Sequence, residues 1–140
     1  MSVVTIRLAG EPNGKGRPRI STRNGMVRAY TPEKTRNYSA ALRMAAEAAM
    51  GGRPLFDGPV TVIVSASFGI PPSFSKKKRL AALWGSLHPT KKPDIDNIAK
   101  HFDALNGVVW TDDKNVIRAD ILKTYGQTPQ LEIRPPEGNA

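Results

Sequence analysis

Residues 58–72 read Gly58-Pro59-Val60-Thr61-Val62-Ile63-Val64-Ser65-Ala66-Ser67-Phe68-Gly69-Ile70-Pro71-Pro72. Val60, Val62, Val64, Ala66 and Phe68 recur at every second position, so they share one face of an extended chain. Gly58-Pro59 opens this strand and Pro71-Pro72 ends it. A strand with one apolar face has to bury it against another layer. The segment before it supplies that layer. Thr31-Pro32-Glu33 has the form of an N-cap, a proline at the first helical position and an early acid. An alanine-rich run follows from 32 to about 50, stopped by Gly51-Gly52, with Tyr38, Leu42, Ala45 and Ala49 on one stripe.

Upstream, residues 2–9 alternate in a second strand pattern with Val4, Ile6 and Leu8 on one face. Residues 10–30 hold four Gly, two Pro and five basic residues, the composition of a long loop or irregular hairpin. Downstream, Ser75 is placed to cap a short helix over 76–84 whose apolar side is Leu80, Leu83 and Trp84. A second main helix is expected over 95–106, with Ile95, Ile98, Ala99, Phe102 and Leu105 on one stripe and Gly107 as its C′ residue. Asp112-Asp113-Lys114-Asn115 forms a turn. Strands over 116–124, with Ile117, Ala119 and Ile121 inward, and over about 130–134 complete the order β-α-β-(α)-α-β-β. This is a single α+β domain over 1–134, a mixed sheet packed by two main helices, with 135–140 as a flexible tail.

Composition excludes several classes of chemistry. The 140 residues include no Cys, so disulfides, zinc fingers, iron–sulfur clusters and thiol catalysis are absent. The two histidines, His88 and His101, are too far apart for an H-E-x-x-H zinc site. No apolar run approaches the ~20 residues of a membrane-spanning helix, and the N-terminus lacks the pattern of a secretory leader, so a cytoplasmic protein without a membrane partner is expected. With 21 Lys plus Arg against 12 Asp plus Glu, the net charge is +9, which points to a polyanionic partner.

The charges are segregated. Residues 7–28 carry six bases (Arg7, Lys15, Arg17, Arg19, Arg23, Arg28) and one acid, Glu11. Residues 76–92 carry six more (Lys76, Lys77, Lys78, Arg79, Lys91, Lys92) and no acid. The Lys76–Arg79 run sits at the positive end of a helix dipole, where each exposed cation costs ~0.3–1 kcal/mol. Local stability therefore does not account for it, whereas a phosphate backbone does. Gly14-Lys15-Gly16-Arg17-Pro18-Arg19 departs from the G-x-x-x-x-G-K-[ST] phosphate loop and reads as a basic loop for sequence-neutral backbone contacts. Lys15, Arg17, Arg19, Lys76, Lys77, Lys91 and Lys92 are the candidate nucleic-acid contacts.

Six of the twelve acids, all aspartates, fall within residues 94–120. Carboxylates repel a phosphate backbone unless a divalent cation lies between them. At ~100° per residue, Asp96, Lys100 and Asp103 share a helical face beside the apolar stripe. Asp112-Asp113 is expected to fold back beside the start of that helix, gathering three carboxylates around Mg²⁺, with Mn²⁺ able to substitute. Each acid also has a structural reading: Asp94 as an N-cap, Asp96 as a partner of the helix dipole and of Lys100, Asp112-Asp113 as turn formers. A P-D…(D/E)-x-K arrangement using Pro93-Asp94 and Asp112-Asp113-Lys114 would put Lys114 in the place of Lys100.

The stretch Asp94-Ile95-Asp96-Asn97-Ile98-Ala99-Lys100-His101-Phe102-Asp103-Ala104-Leu105, followed by Trp110-Thr111-Asp112-Asp113, resembles the RusA family of Holliday junction resolvases. Gly16-Arg17-Pro18-Arg19 and Tyr30-Thr31-Pro32 are similar to the N-terminal region of one branch of that family, and residues 73–86 look like an insertion. The resemblance implies a bacterial or phage-encoded homodimer that nicks opposed strands of a four-way DNA junction in an Mg²⁺-dependent reaction, without any small-molecule cofactor. It implies Asp94, Asp96 and Asp113 as essential acids and metal ligands, Asp112 as an accessory ligand, and Lys100 as the essential lysine. Pro93 stands where some members carry a DNA-contacting Arg, which leaves Lys91 or Lys92 to substitute. Two other functions fit the same residues: a non-catalytic basic DNA-binding module, and a nuclease for flaps or other branched DNA.

Overall fold

The computed structural model describes residues 4–15, 19–23, 25–30 and 33–135. Strand β1 spans Ile6–Ala9, β2 Arg19–Arg23, β3 Met26–Tyr30, helix α1 Glu33–Met50, β4 Val60–Gly69, α2 Lys76–Leu83, α3 Ile95–Ala99, β5 Val116–Gly126 and β6 Gln130–Arg134. The main sheet has the order β1-β6-β4-β5, while β2 and β3 form a separate antiparallel hairpin. Strand β4 pairs parallel with β5 and antiparallel with β6, and β1 pairs antiparallel with β6, so the sheet is mixed. The parallel pair is joined by a long crossover that carries α2 and α3, as a parallel connection requires. This is the α+β single domain that the alternation pattern predicts.

The core follows from the period of two in β4. Val60, Val62, Val64, Ala66 and Phe68 are all buried, and Leu42, Ala46 and Met50 of α1 belong to the same apolar cluster. Trp110 is fully buried and meets Phe102 edge-to-face, with centroids 5.8 Å apart. Its indole N–H donates to Asn106 Oδ1 at 3.0 Å, giving the buried ring the polar partner it needs. Pro135, assigned by sequence to the tail, is buried; residues 136–140 lie outside the described residues.

Three local expectations are corrected. The helix expected over 95–106 is α-helical only to Ala99 and continues as a 3₁₀ helix over Lys100–Leu105. The tighter winding aligns positions three apart, so Phe102 and Leu105 both remain on the core as the stripe predicts. Helix α2 is capped by Ser75, whose Oγ accepts from the Lys78 N–H at 3.1 Å, as expected. Its apolar side, however, faces outward: Leu80 is 49%, Leu83 39% and Trp84 82% exposed, and Ala82 is the buried residue. The neighbouring anchor is Phe74, packed edge-on against Tyr125 of β5 with centroids 5.6 Å apart. In β5, Ile121 packs against the core, but Ile117 is 69% exposed and Ala119 is also exposed. β5 is an edge strand, and α1 lies against β1 at the far side of the sheet.

Candidate nuclease site

The acid-rich segment follows Pro93 within the crossover. Asp94 is the N-cap residue of α3, with extended backbone (φ −70°, ψ 158°), but its side chain makes no capping hydrogen bond. Asp96 lies in the first helical turn, and both residues are exposed. Among the described residues neither carboxylate has a hydrogen-bond or ion-pair partner. The Asp96–Lys100 pair expected from i,i+4 spacing is not formed; Lys100 Nζ donates instead to Asn97 Oδ1 at 3.0 Å. Asp94 and Asp96 thus present free oxygen acceptors, with the Lys100 ammonium one turn away.

Asp112 and Asp113 are held differently. Asp112 Oδ1 accepts from the Lys114 N–H at 2.9 Å and caps the 3₁₀ turn Asp113–Asn115. That backbone hydrogen bond keeps the Asp112 carboxyl below the usual carboxylate range. Asp113 Oδ1 accepts from Asn106 Nδ2 at 3.2 Å, and the other end of the Asn106 amide receives the Trp110 indole. Asn106 therefore ties Asp113 to the C-terminal end of the 3₁₀ helix. Among the described residues, no three Asp, Glu or His side chains are placed to share a metal ion. Lys114 is exposed in this turn.

The bases split in the same way. Lys76 and Lys77 are exposed in the first turn of α2, and Lys91 and Lys92 are exposed on the approach to Pro93. None of the four forms an ion pair among the described residues. Lys15 is engaged: its ammonium pairs with Asp103 and its backbone N–H donates to Asn97 O at 2.9 Å. Arg17 lies outside the described residues; Arg19 opens β2.

Sequence reasoning missed the clamp that holds the loop over 12–15 against the acid segment. His101 is fully buried, one position after Lys100. Its Nε2–H donates to Asn13 O at 2.9 Å, which leaves Nδ1 to accept from the Ser39 hydroxyl at 3.2 Å. Burial pushes its pKa down and keeps the ring neutral near pH 7. The available signal was position: His101 lies three residues after Ile98, on the apolar stripe.

Magnesium fits this donor set in kind. It prefers hard oxygen ligands and is usually held by one or two carboxylates plus water and substrate phosphate. Asp94 and Asp96 supply two unpartnered carboxylates, while Asp112 and Asp113 already have protein donors.

An α+β domain with free aspartates opening a helix beside unpaired lysines has the attributes of a phosphodiester-cleaving protein. The family model for Endodeoxyribonuclease RusA matches residues 9–134, and the chain belongs to this endodeoxyribonuclease family. The chain is also 36% identical over 138 residues, 95% of each chain, to the uncharacterized protein YqaN of Bacillus subtilis (strain 168). Among the described residues no helix is long and apolar enough to cross a membrane.

Proposed function

We propose that the protein is a Mg²⁺-dependent, structure-specific endodeoxyribonuclease that resolves four-way DNA junctions by symmetric nicks during recombination and repair. The observation that carries this reading is the pair of unpartnered carboxylates, Asp94 and Asp96, at the start of α3 in a member of the RusA family. Asp94, Asp96 and Asp113 would hold the ion, with Asp112 supporting it; for that, Asp113 has to give up its hydrogen bond to Asn106 and approach the start of α3. Bound Mg²⁺ supplies Lewis-acid activation of the phosphodiester and a nucleophilic water at neutral pH. Lys100, steadied by Asn97, places positive charge where negative charge grows in the transition state. Lys76, Lys77, Lys91 and Lys92 hold the flanking backbone.

Paired incision needs two such sites, so the acting species is a homodimer. The uncovered sheet face bearing Ile63 and Leu122, both exposed near the β5 edge, supports association through this side.

A fluorescent four-way junction tests the reading directly. With Mg²⁺ or Mn²⁺ the wild type nicks opposed strands; with EDTA, or in Asp96→Asn, binding persists and cleavage is lost. Equal cleavage by both proteins overturns the site assignment. Binding by the wild type with no cleavage in either metal makes the protein a DNA-binding module, and preferential cutting of flaps changes the substrate.

A further inference from the structure

A cavity of about 730 Å³ adjoins the acid segment, between the loop over 11–14, the first turns of α1 and the approach to α3. Its size falls in the ~300–1,000 Å³ range of ligand sites. Tyr38, Pro12 and Pro93 contribute apolar surface; Asn13, Asn37 and Asn97 contribute side-chain amides; Lys34 and Lys92 add positive charge. The Asn13 and Asn37 side chains have no hydrogen-bond partner among the described residues, and Asn97 uses only its Oδ1. Pro93 and Asn97 flank Asp94 and Asp96 in the chain.

This combination is wrong for a phosphate alone. A phosphate accepts hydrogen bonds and gains nothing from amide oxygens or from Glu11, which also lines the cavity. A nucleobase edge carries donors and acceptors together, and amide side chains match both. Its flat faces stack on aromatic and apolar surfaces, as flipped bases do in the enzymes that extrude them. Bases at the crossover of a branched junction are the least costly to unstack.

We infer that this cavity receives one unstacked nucleobase of the strand presented to Asp94 and Asp96, with Asn37 reading its edge, so that cleavage depends on the base next to the cut. The inference rests on the nuclease reading above and adds a specificity determinant to it. Lys34 and Lys92 bind the phosphates on either side of the accepted base.

The test is a library of four-way junctions randomised around the crossover, cut in Mg²⁺ and sequenced. Wild type is expected to favour one base by about tenfold at a single position beside the cut, the worth of a good base contact. Asn37→Ala should reduce that preference to within about threefold, and Asn37→Gln should restore part of it. Indifference of the wild type to sequence, or an unchanged preference in Asn37→Ala, overturns the inference. A second arm, in EDTA, measures affinity for junctions with a single abasic site at each position around the crossover. One position should weaken wild-type binding about tenfold and leave Asn37→Ala binding unaffected; uniform affinities overturn the cavity assignment. This arm decides the point even if no junction is cut, a result that would instead defeat the nuclease reading.

Discussion

Gly14 packs on Pro93 with no room for a side chain between them: a Cβ at residue 14 would lie 2.5 Å from Pro93 Cβ and 3.1 Å from Asn97 Cβ. The contact fixes the loop over 12–15 against the segment that bears Asp94 and Asp96. Gly14→Ala has to displace that loop, straining the Lys15–Asn97 backbone hydrogen bond and the His101–Asn13 contact with it. Overpacking of this kind costs about 1–3 kcal/mol, which a urea unfolding curve will read as a lowered midpoint at unchanged slope. A Gly14→Ala protein as stable as wild type would mean that the loop is not held by this packing.

His101 makes stability depend on pH in a defined direction. Its folded pKa lies below the ordinary value near 6.5, chiefly through burial. Above about pH 6.5 neither folded nor unfolded chain takes up the proton, and the contribution of His101 is complete. Below that value the unfolded chain binds the proton more readily, so stability falls with pH until the folded pKa is reached. The urea midpoint of wild type should therefore drop between pH 7 and pH 5, and His101→Asn should start lower but lose less over the same window. Equal slopes for the two proteins would remove His101 as the source.

Asp112 separates a structural from a metal-binding role. Its Oδ1 accepts the Lys114 N–H, and an asparagine can do the same through its amide oxygen. Asp112→Asn is expected to keep the urea midpoint of wild type, whereas Asp112→Ala loses the cap and unfolds at lower urea. For an accessory ligand, junction cleavage by Asp112→Asn remains measurable while Asp96→Asn is inactive. Complete loss of cleavage in a stably folded Asp112→Asn protein would raise Asp112 to an essential ligand.

The alternation in β4 and the stripe of α1 were legible because each is a long run with one consistent period, and burial of Val60 through Phe68 and of Leu42 follows it directly. The segment after Asp94 was not, because a period of 3.6 was assumed where the chain tightens to three residues per turn after Ala99. Phe102 and Leu105 are buried as their place on the stripe predicts, but Ile95 of the same stripe is 49% exposed and His101, not assigned to it, is fully buried. Leu80, Leu83 and Trp84 form the apolar side of the short helix by sequence, but an eight-residue helix anchored through Ala82 and its neighbour Phe74 leaves all three exposed. At the site, single residues were legible as types and their pairing was not. Spacing suggested Asp96 with Lys100, whereas Asn97 takes the lysine; Asn106, unmarked in the sequence, holds both Trp110 and Asp113.

The unpaired bases of α2 carry a prediction about salt. Lys76 and Lys77 stand exposed at the N-terminal turn, where the helix dipole disfavours them and no acid among the described residues compensates. If each neutralises a DNA phosphate, junction affinity falls with salt at a slope near −0.9 per contact, and removing one contact lowers that slope by about one. Lys76→Ala and Lys77→Ala should each weaken binding to every junction sequence alike, without shifting the sequence preference, because phosphate contacts carry no base information. Folding should be unaffected or slightly improved, since alanine relieves the unfavourable charge on the dipole. Junction titrations at several salt concentrations check this. An unchanged slope in the Lys76→Ala, Lys77→Ala double variant would show that α2 points its charges into solvent, leaving Lys91 and Lys92 to carry the backbone.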